Sequence, residues 1–238
     1  MTLRILFSGT VAKHTDAPSD NEDSFHIALD AGKIAMADGA SESFDAKNWA
    51  KLLVEQVIHT GISDDLLCAC SQEYEALHDP NTLSWSKAAA YERGSFSTLL
   101  AVEENPNQKS IDVTAIGDSL AVWSDGRHIL DSAPYSYSIQ FDEKPILLST
   151  RLEINPSLDG EAVRRVTWNY ESEPRYLLCM TDALGAWFLS KVEAGDTTAF
   201  QQLCNLPDGE TFIQLIESER NAGRMRRDDA TLVVALLT

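Results

Sequence analysis

The chain has 238 residues, 44% of them hydrophobic and 24% charged, the proportions of an ordinary globular protein able to fill a sizeable core. Its 37 acidic and 19 basic residues leave a formal net charge of −18, which repels phosphate backbones and anionic lipid and argues against nucleic-acid or membrane binding as the main activity. No apolar run of about eighteen residues is present, and residues 1–12 lack the long apolar region of a secretion signal, so a cytoplasmic protein is expected.

Strands are read at residues 3–7, 25–29 and 33–37, the last two joined by a hairpin turn at Asp30-Ala31-Gly32-Lys33. A helix follows, capped by Ser43 or Asp45, with Trp49, Leu52, Leu53 and Val57 as its apolar stripe. A second helix, residues 64–78, is expected to bury Leu66, Leu67, Cys70, Tyr74 and Leu77. Strands return at 95–102, around Ile111, Val113 and Ala115, and at 120–123, before a turn at Ser124-Asp125-Gly126. Residues 131–159 are irregular, with Pro134, Pro145 and Pro156, and a loop of that length is functional or mobile. An apolar strand at 175–180 ends on Thr181-Asp182. Helices are read at 183–190, 197–204 and 210–222, and a fully apolar strand at 231–237 closes the chain. This order predicts an α+β fold with mostly antiparallel sheets. No GxGxxG or GxxxxGK[ST] run supports nucleotide binding.

Cys68, Cys70, Cys179 and Cys204 form no CxxC pair, and His14, His26, His59, His78 and His128 show no HxxxH or HExxH pattern. Free thiols and no zinc site are expected. The aspartates are more suggestive, because several stand where strands run out. Asp38-Gly39 follows residues 34–37, Asp182 follows 177–181, Asp118-Ser119 separates two strands, and Asp228-Asp229 precedes the last. Singly, each is an ordinary turn or cap residue. Together, carboxylates at strand ends can converge on one rim of a sheet and hold hard cations, which prefer oxygen ligands.

Taken in order, Asn21-Glu22-Asp23, Met36-Ala37-Asp38-Gly39, Gly94-Ser95-Phe96-Ser97-Thr98, Gly117-Asp118-Ser119, Thr181-Asp182 and Arg227-Asp228-Asp229-Ala230-Thr231 resemble the motif series of the bacterial PP2C-type (PPM, metal-dependent) serine/threonine protein phosphatases. The resemblance runs over essentially the whole chain. It implies one domain spanning residues 1–238, folded as a four-layer αββα sandwich of two antiparallel sheets flanked by helix pairs. It also implies two core Mn2+ or Mg2+ ions and a weaker third. Asp38 would be shared by the two core ions, with Asp182 and Asp228 completing the first. The Gly39 carbonyl would serve the second, together with Glu22 and Asp23, directly or through water. Asp118 and Asp182 would hold the third. Asp229 is expected to support its neighbour, and residues 94–98 to pack rather than react. Catalysis would then run through Asp38, Asp182 and Asp228: ions about 3.5–4 Å apart activate a bridging hydroxide that attacks phosphorus in line. The expected partner is a phosphorylated protein, the target of a kinase, met by a monomer.

Three positions depart from the family pattern. Pro18 stands where many members carry a phosphate-holding Arg; Lys13 or His14 could reach the site, but each is read as an ordinary surface residue. Thr181-Asp182-Ala183 replaces Ser-Asp-Gly, and Ala40 occupies a possible proton-donor position. The family's Thr-x-Asp-His stretch is also missing from the flap-like region of about 131–165. That loop is read as a docking flap, and Tyr135, Tyr137, Phe141 and Trp168 as a packing cluster over a sheet edge. The alternative function is a catalytically weak pseudophosphatase that binds a kinase or signalling partner; a hydrolase of small phosphoesters is a third reading.

Overall fold

The computed structural model describes residues 3–170 and 174–238. The first third runs β1 (Leu3–Val11), β2 (Ser24–Ala28), β3 (Lys33–Ala37), α1 (Ala46–Thr60), α2 (Asp64–Ala76) and α3 (Trp85–Arg93). The middle holds β4 (Phe96–Ser97), β5 (Leu99–Asn105), β6 (Ser110–Ile116), β7 (Leu120–Ser124), β8 (Ile129–Ala133), β9 (Leu148–Ser149) and β10 (Val163–Asn169). The chain continues through β11 (Arg175–Met180), α4 (Asp182–Glu193), α5 (Thr198–Cys204) and α6 (Gly209–Asn221), and β12 (Ala230–Leu237) follows. One sheet has the order β1-β12-β11-β7-β8 and the other β10-β6-β5-β3-β2, and all pairings are antiparallel.

Side-chain alternation along the central strands builds the layers. In β12, Ala230, Leu232 and Val234 turn to a cluster shared with α4, α5 and α6, while Val233, Ala235 and Leu237 turn the other way. β11 and β7 divide likewise: Leu178, Met180, Leu120 and Val122 face the helices, and Leu177, Cys179, Ala121 and Trp123 face inward. In the other sheet, Ile34 and Met36 of β3 meet the inward set, while Ala35 and Ala37 pack under Trp49, Leu53 and Val57 of α1 and Leu66 and Tyr74 of α2. Strands apolar on both faces are what a sheet buried between a second sheet and a helix layer requires. The expected α+β, four-layer arrangement is therefore present.

Register places the strand ends. Val11 pairs with Ala230, and Met180 pairs with both Leu232 and Leu120. In the second sheet, Ala37 pairs with Ser24, and Leu99 with Ile116. Residues just beyond these pairs thus lie on one rim: Lys13, Asp228, Asp182 and Asp118 from one sheet, and Asp23, Asp38 and Thr98 from the other.

Several elements differ from expectation. Leu77 lies past the end of α2 and is 56% exposed, so it is not on the buried face. The strand expected at 95–102 is split at Thr98, whose N–H donates to the Asp38 carbonyl (2.9 Å) rather than continuing one ladder. β1 extends four residues beyond Phe7. Within 131–165, β8 pairs with β7 and β9 pairs with β4, so the region is partly built into the sheets. α3 and β10 fall where no element was expected.

Candidate active site

Asp38 follows β3 and is fixed by its backbone. Its N–H donates to Thr98 Oγ1 (2.8 Å), and its carbonyl accepts from Thr98 N (2.9 Å) and Ser97 Oγ (2.8 Å). Thr98 Oγ1 also lies 2.7 Å from Ser119 Oγ, linking Asp38 to the turn that carries Asp118. Residues 97–98 therefore hold the site in place, as expected of packing residues. Gly39 needs to be glycine for a spatial reason: a Cβ there would meet the Ala46 carbonyl carbon, oxygen and Cβ at 2.9 Å. The first turn of α1, capped by the Asp45 side chain on Asn48 N, presses directly on the Asp-Gly turn.

Asp23 is buried under the rim. Its Oδ2 accepts from Thr181 Oγ1 (2.9 Å) and Thr231 Oγ1 (2.7 Å), its N–H donates to Asn21 Oδ1 (2.9 Å), and its Oδ1 has no protein partner. Asp229 accepts from Lys13 N (2.6 Å) and Glu22 N (2.7 Å), so it braces the two segments that enter the rim. From α6, the buried Arg220 guanidinium donates to the carbonyls of Ala12 (2.9 Å) and Asp228, tying the end of β1 to the approach of β12.

A cavity of about 410 Å³ opens on this rim, lined by Asp38, Gly39, Asp118, Asp182 and Asp228 among others. Five of the seven expected ligands thus share one cavity. Glu22 borders a small adjoining cavity that shares Lys13 and Ser41 with it, and Asp23 lies beneath. As the side chains stand, no three His, Cys, Asp or Glu among the described residues close around a common point. Asp182 Oδ2 is paired with the Arg226 guanidinium and Asp228 Oδ1 with Lys13 Nζ (3.5 Å).

The electrostatics are those of crowded anions. Loss of water, then the charges of Asp23, Asp118, Asp228 and Asp229, hold the Asp38 carboxyl well above the usual carboxylate range. Burial pushes Asp23 up to about 7, against the lowering effect of its threonine hydrogen bonds. Burial likewise raises Asp118, opposed chiefly by Arg226, and Glu22, opposed by a bond with Ser41. Such a set is relieved by protons or by cations. An all-oxygen donor set with an unpartnered buried Asp23 Oδ1 suits Mg2+ or Mn2+ better than soft metals.

The far wall is residues 141–147 of the expected flap. Phe141 is buried between Tyr135 (5.0 Å, edge-on) and Gly185 of α4, and Ser138 N and Oγ donate to Glu193 at 2.6 and 2.7 Å. Trp168 stacks on Trp123 at 5.7 Å and donates to Asp131. These two aromatics and Tyr135 are packing, while Tyr137 is 63% exposed. Lys13, read as a surface residue, lines the cavity instead. Arg226 was not singled out; its signal was a run of arginines directly before Asp228. Pro18 begins a short 3-10 turn outside the cavity lining.

No family model and no curated protein matches the chain. Solved structures do. The photosystem II phosphatase PBCP is 16% identical with a TM-score of 0.63, 99% of each chain being covered. The Mycobacterium tuberculosis serine/threonine phosphatase PstP/Ppp is 17% identical with a TM-score of 0.61, covering 100% of this chain and 99% of that one. The Staphylococcus aureus serine/threonine phosphatase Stp1 is 15% identical with a TM-score of 0.63, covering 100% and 96%. Two five-stranded antiparallel sheets between helix layers, matched end to end, give this chain the fold of the PP2C-type serine/threonine phosphatases.

Proposed function

We propose that the chain is a Mn2+- or Mg2+-dependent phosphatase, a single domain over residues 1–238 that hydrolyses phosphoserine or phosphothreonine in a protein phosphorylated by a kinase. One observation carries the reading: strand-end carboxylates far apart in sequence share one cavity in a fold found among serine/threonine phosphatases. Asp38, Asp182 and Asp228 with the Gly39 carbonyl, and Glu22 with Asp23 on the other side, would hold ions that neutralise phosphate charge and acidify a bound water, and Asp118 fits a further ion. The remaining work falls to the chain. Thr98 and Ser97 fix the Asp38 backbone, so only its side chain has to adjust to an ion. The threonine pair orients Asp23 by one oxygen and leaves the other available. The lining contains no histidine or cysteine, and its two hydroxyl side chains are both engaged, Thr98 with Asp38 N and Ser119 and Ser41 with Glu22, which supports water rather than a side chain as the nucleophile. The 141–147 wall bounds the space a phosphorylated side chain would enter. A monomer working in the cytoplasm is part of the same proposal.

The pseudophosphatase reading is favoured by one feature, the pairing of Asp182 and Asp228 with the chain's own cations. A single assay separates the two. Hydrolysis of a phosphothreonine peptide is expected with Mn2+, falling at least about a hundredfold in Asp38→Ala and Asp182→Ala, the scale of losing charge stabilisation in a site. Undiminished turnover in excess chelator would sink the metal-dependent reading, and Mn2+ binding without turnover would favour the binding module.

A further inference from the structure

We propose that Arg226 is a built-in counterion that competes with divalent cations for Asp182 and, once displaced, becomes the group that holds phosphate in the same cavity. This rests on the metal-dependent phosphatase reading and deepens it. Both Asp182 oxygens are engaged: Oδ2 by the Arg226 guanidinium and Oδ1 by the Ala183 N–H. A cation approaching Asp182 from the cavity therefore competes with Arg226. Arg226 also opposes the raised carboxyl of Asp118, so its charge lies among the two carboxylates that flank this part of the cavity.

Of the arginines in its segment, Arg226 is the one that lines the cavity. Arg224 is locked by two bonds to Glu219 at 2.6 and 2.7 Å. Arg227 reaches the Lys13 carbonyl at 3.3 Å and Glu217 at 3.6 Å, away from Asp182. Between them, Met225 is buried in the helix-side core and anchors the backbone, while the Arg226 side chain is half-exposed at the cavity. A long stem on a fixed backbone can swing its head group without disturbing the fold.

Charge fixes the order of events. The cavity lining has six carboxylates (Asp38, Asp118, Asp142, Glu143, Asp182, Asp228) and three cationic side chains (Lys13, Lys144, Arg226). With all ionised, a phosphate would be repelled. Two divalent ions reverse the sign, and the arginine they displace from Asp182 is left beside a bound anion. Its planar fork matches phosphate oxygens bidentately, which a lysine cannot reproduce.

The test is calorimetric titration of the full chain, first with Mn2+ and then with inorganic phosphate at saturating Mn2+. Arg226→Ala is expected to bind Mn2+ about threefold more tightly, the scale of a lost half-exposed ion pair, and phosphate about tenfold more weakly, the scale of a lost charged hydrogen bond. Arg226→Lys should retain tight Mn2+ competition but only part of the phosphate affinity. In an Asp182→Asn background, Arg226→Ala should no longer tighten Mn2+ binding. Arg227→Ala controls for the general loss of a positive charge. Equal shifts in Arg227→Ala, unchanged or weakened Mn2+ binding in Arg226→Ala, or unchanged phosphate binding would each overturn the proposal and leave the phosphatase reading standing. Failure of the wild-type chain to bind Mn2+ would overturn both.

Discussion

Asp23 shows how a single residue ties folding to the site. Two threonine hydroxyls, one from β12 and one from the junction of β11 and α4, hold Oδ2, and burial pushes the carboxyl from its ordinary 3.8 up to about 7. A raised carboxyl means that the folded, metal-free chain keeps a proton that the unfolded chain has released. Its stabilising effect is therefore whole below about pH 4 and is lost as pH climbs through about 7. Asp38, Asp118 and Glu22 are raised as well and act with the same sign. In chelator, the melting temperature should fall between pH 5 and pH 8, and Asp23→Asn should flatten part of that slope. A wild-type melting temperature that holds or rises over this window would contradict the charge crowding described here. Asp23 and Asp38 were readable because a motif names them. Lys13 is legible only as a residue that could reach the site, and Arg226 not at all: nothing in a local stretch of sequence says that an arginine two residues before Asp228 points at a carboxylate 44 positions earlier, and only tertiary register brings them together.

At the scale of elements, the rim depends on close approach. α1 presses on Gly39, and Gly117, at φ +92°, would put a Cβ 2.6 Å from Thr98 Cγ2. Gly61 at the end of α1 has φ +69° and nothing within 4 Å. Gly39 therefore tests close approach, Gly61 backbone conformation, and Gly117 both together. Gly39→Ala and Gly117→Ala should each destabilise by about 1–3 kcal/mol through overpacking and weaken Mn2+ binding, because they displace the Asp38 and Asp118 turns. Gly61→Ala carries only the cost of its glycine-favouring backbone, φ 69° and ψ −179°, about 1–3 kcal/mol, and should leave Mn2+ affinity unchanged. Thermal melts and Mn2+ titrations check this; a Gly39→Ala protein with wild-type Mn2+ affinity would show that α1 does not position the site. The legibility of elements follows the same physics. β3, β7, β11 and β12 were readable because two buried faces force apolar runs. α3 was not, since it buries no residue and carries no apolar stripe. β10 was hidden because an edge strand alternates Val163, Val166 and Trp168 with exposed arginines and splits them between two clusters.

For the whole molecule, the net charge of −18 and the carboxylate rim are two different electrostatic problems. The surface charge is spread out, and salt with a screening length of about 8 Å at physiological strength reduces its self-repulsion. The rim carboxylates are buried or half-buried and held together by four strand ends, so bulk ions reach them poorly. Bound divalent cations act there directly and stabilise by linkage, about 2.7 kcal/mol at a hundredfold excess over the dissociation constant. For a chain of this length that corresponds to a rise of about 5–10 °C in melting temperature. Sodium chloride at matched ionic strength should produce a much smaller rise. Asp38→Asn should lose most of the Mn2+ response and keep the sodium chloride response, since the mutation touches the rim and leaves the surface field nearly intact. Should Mn2+ act no better than sodium chloride, or act equally well on Asp38→Asn, the cation effect would belong to the surface, and the rim would be a structural knot of carboxylates rather than a metal centre.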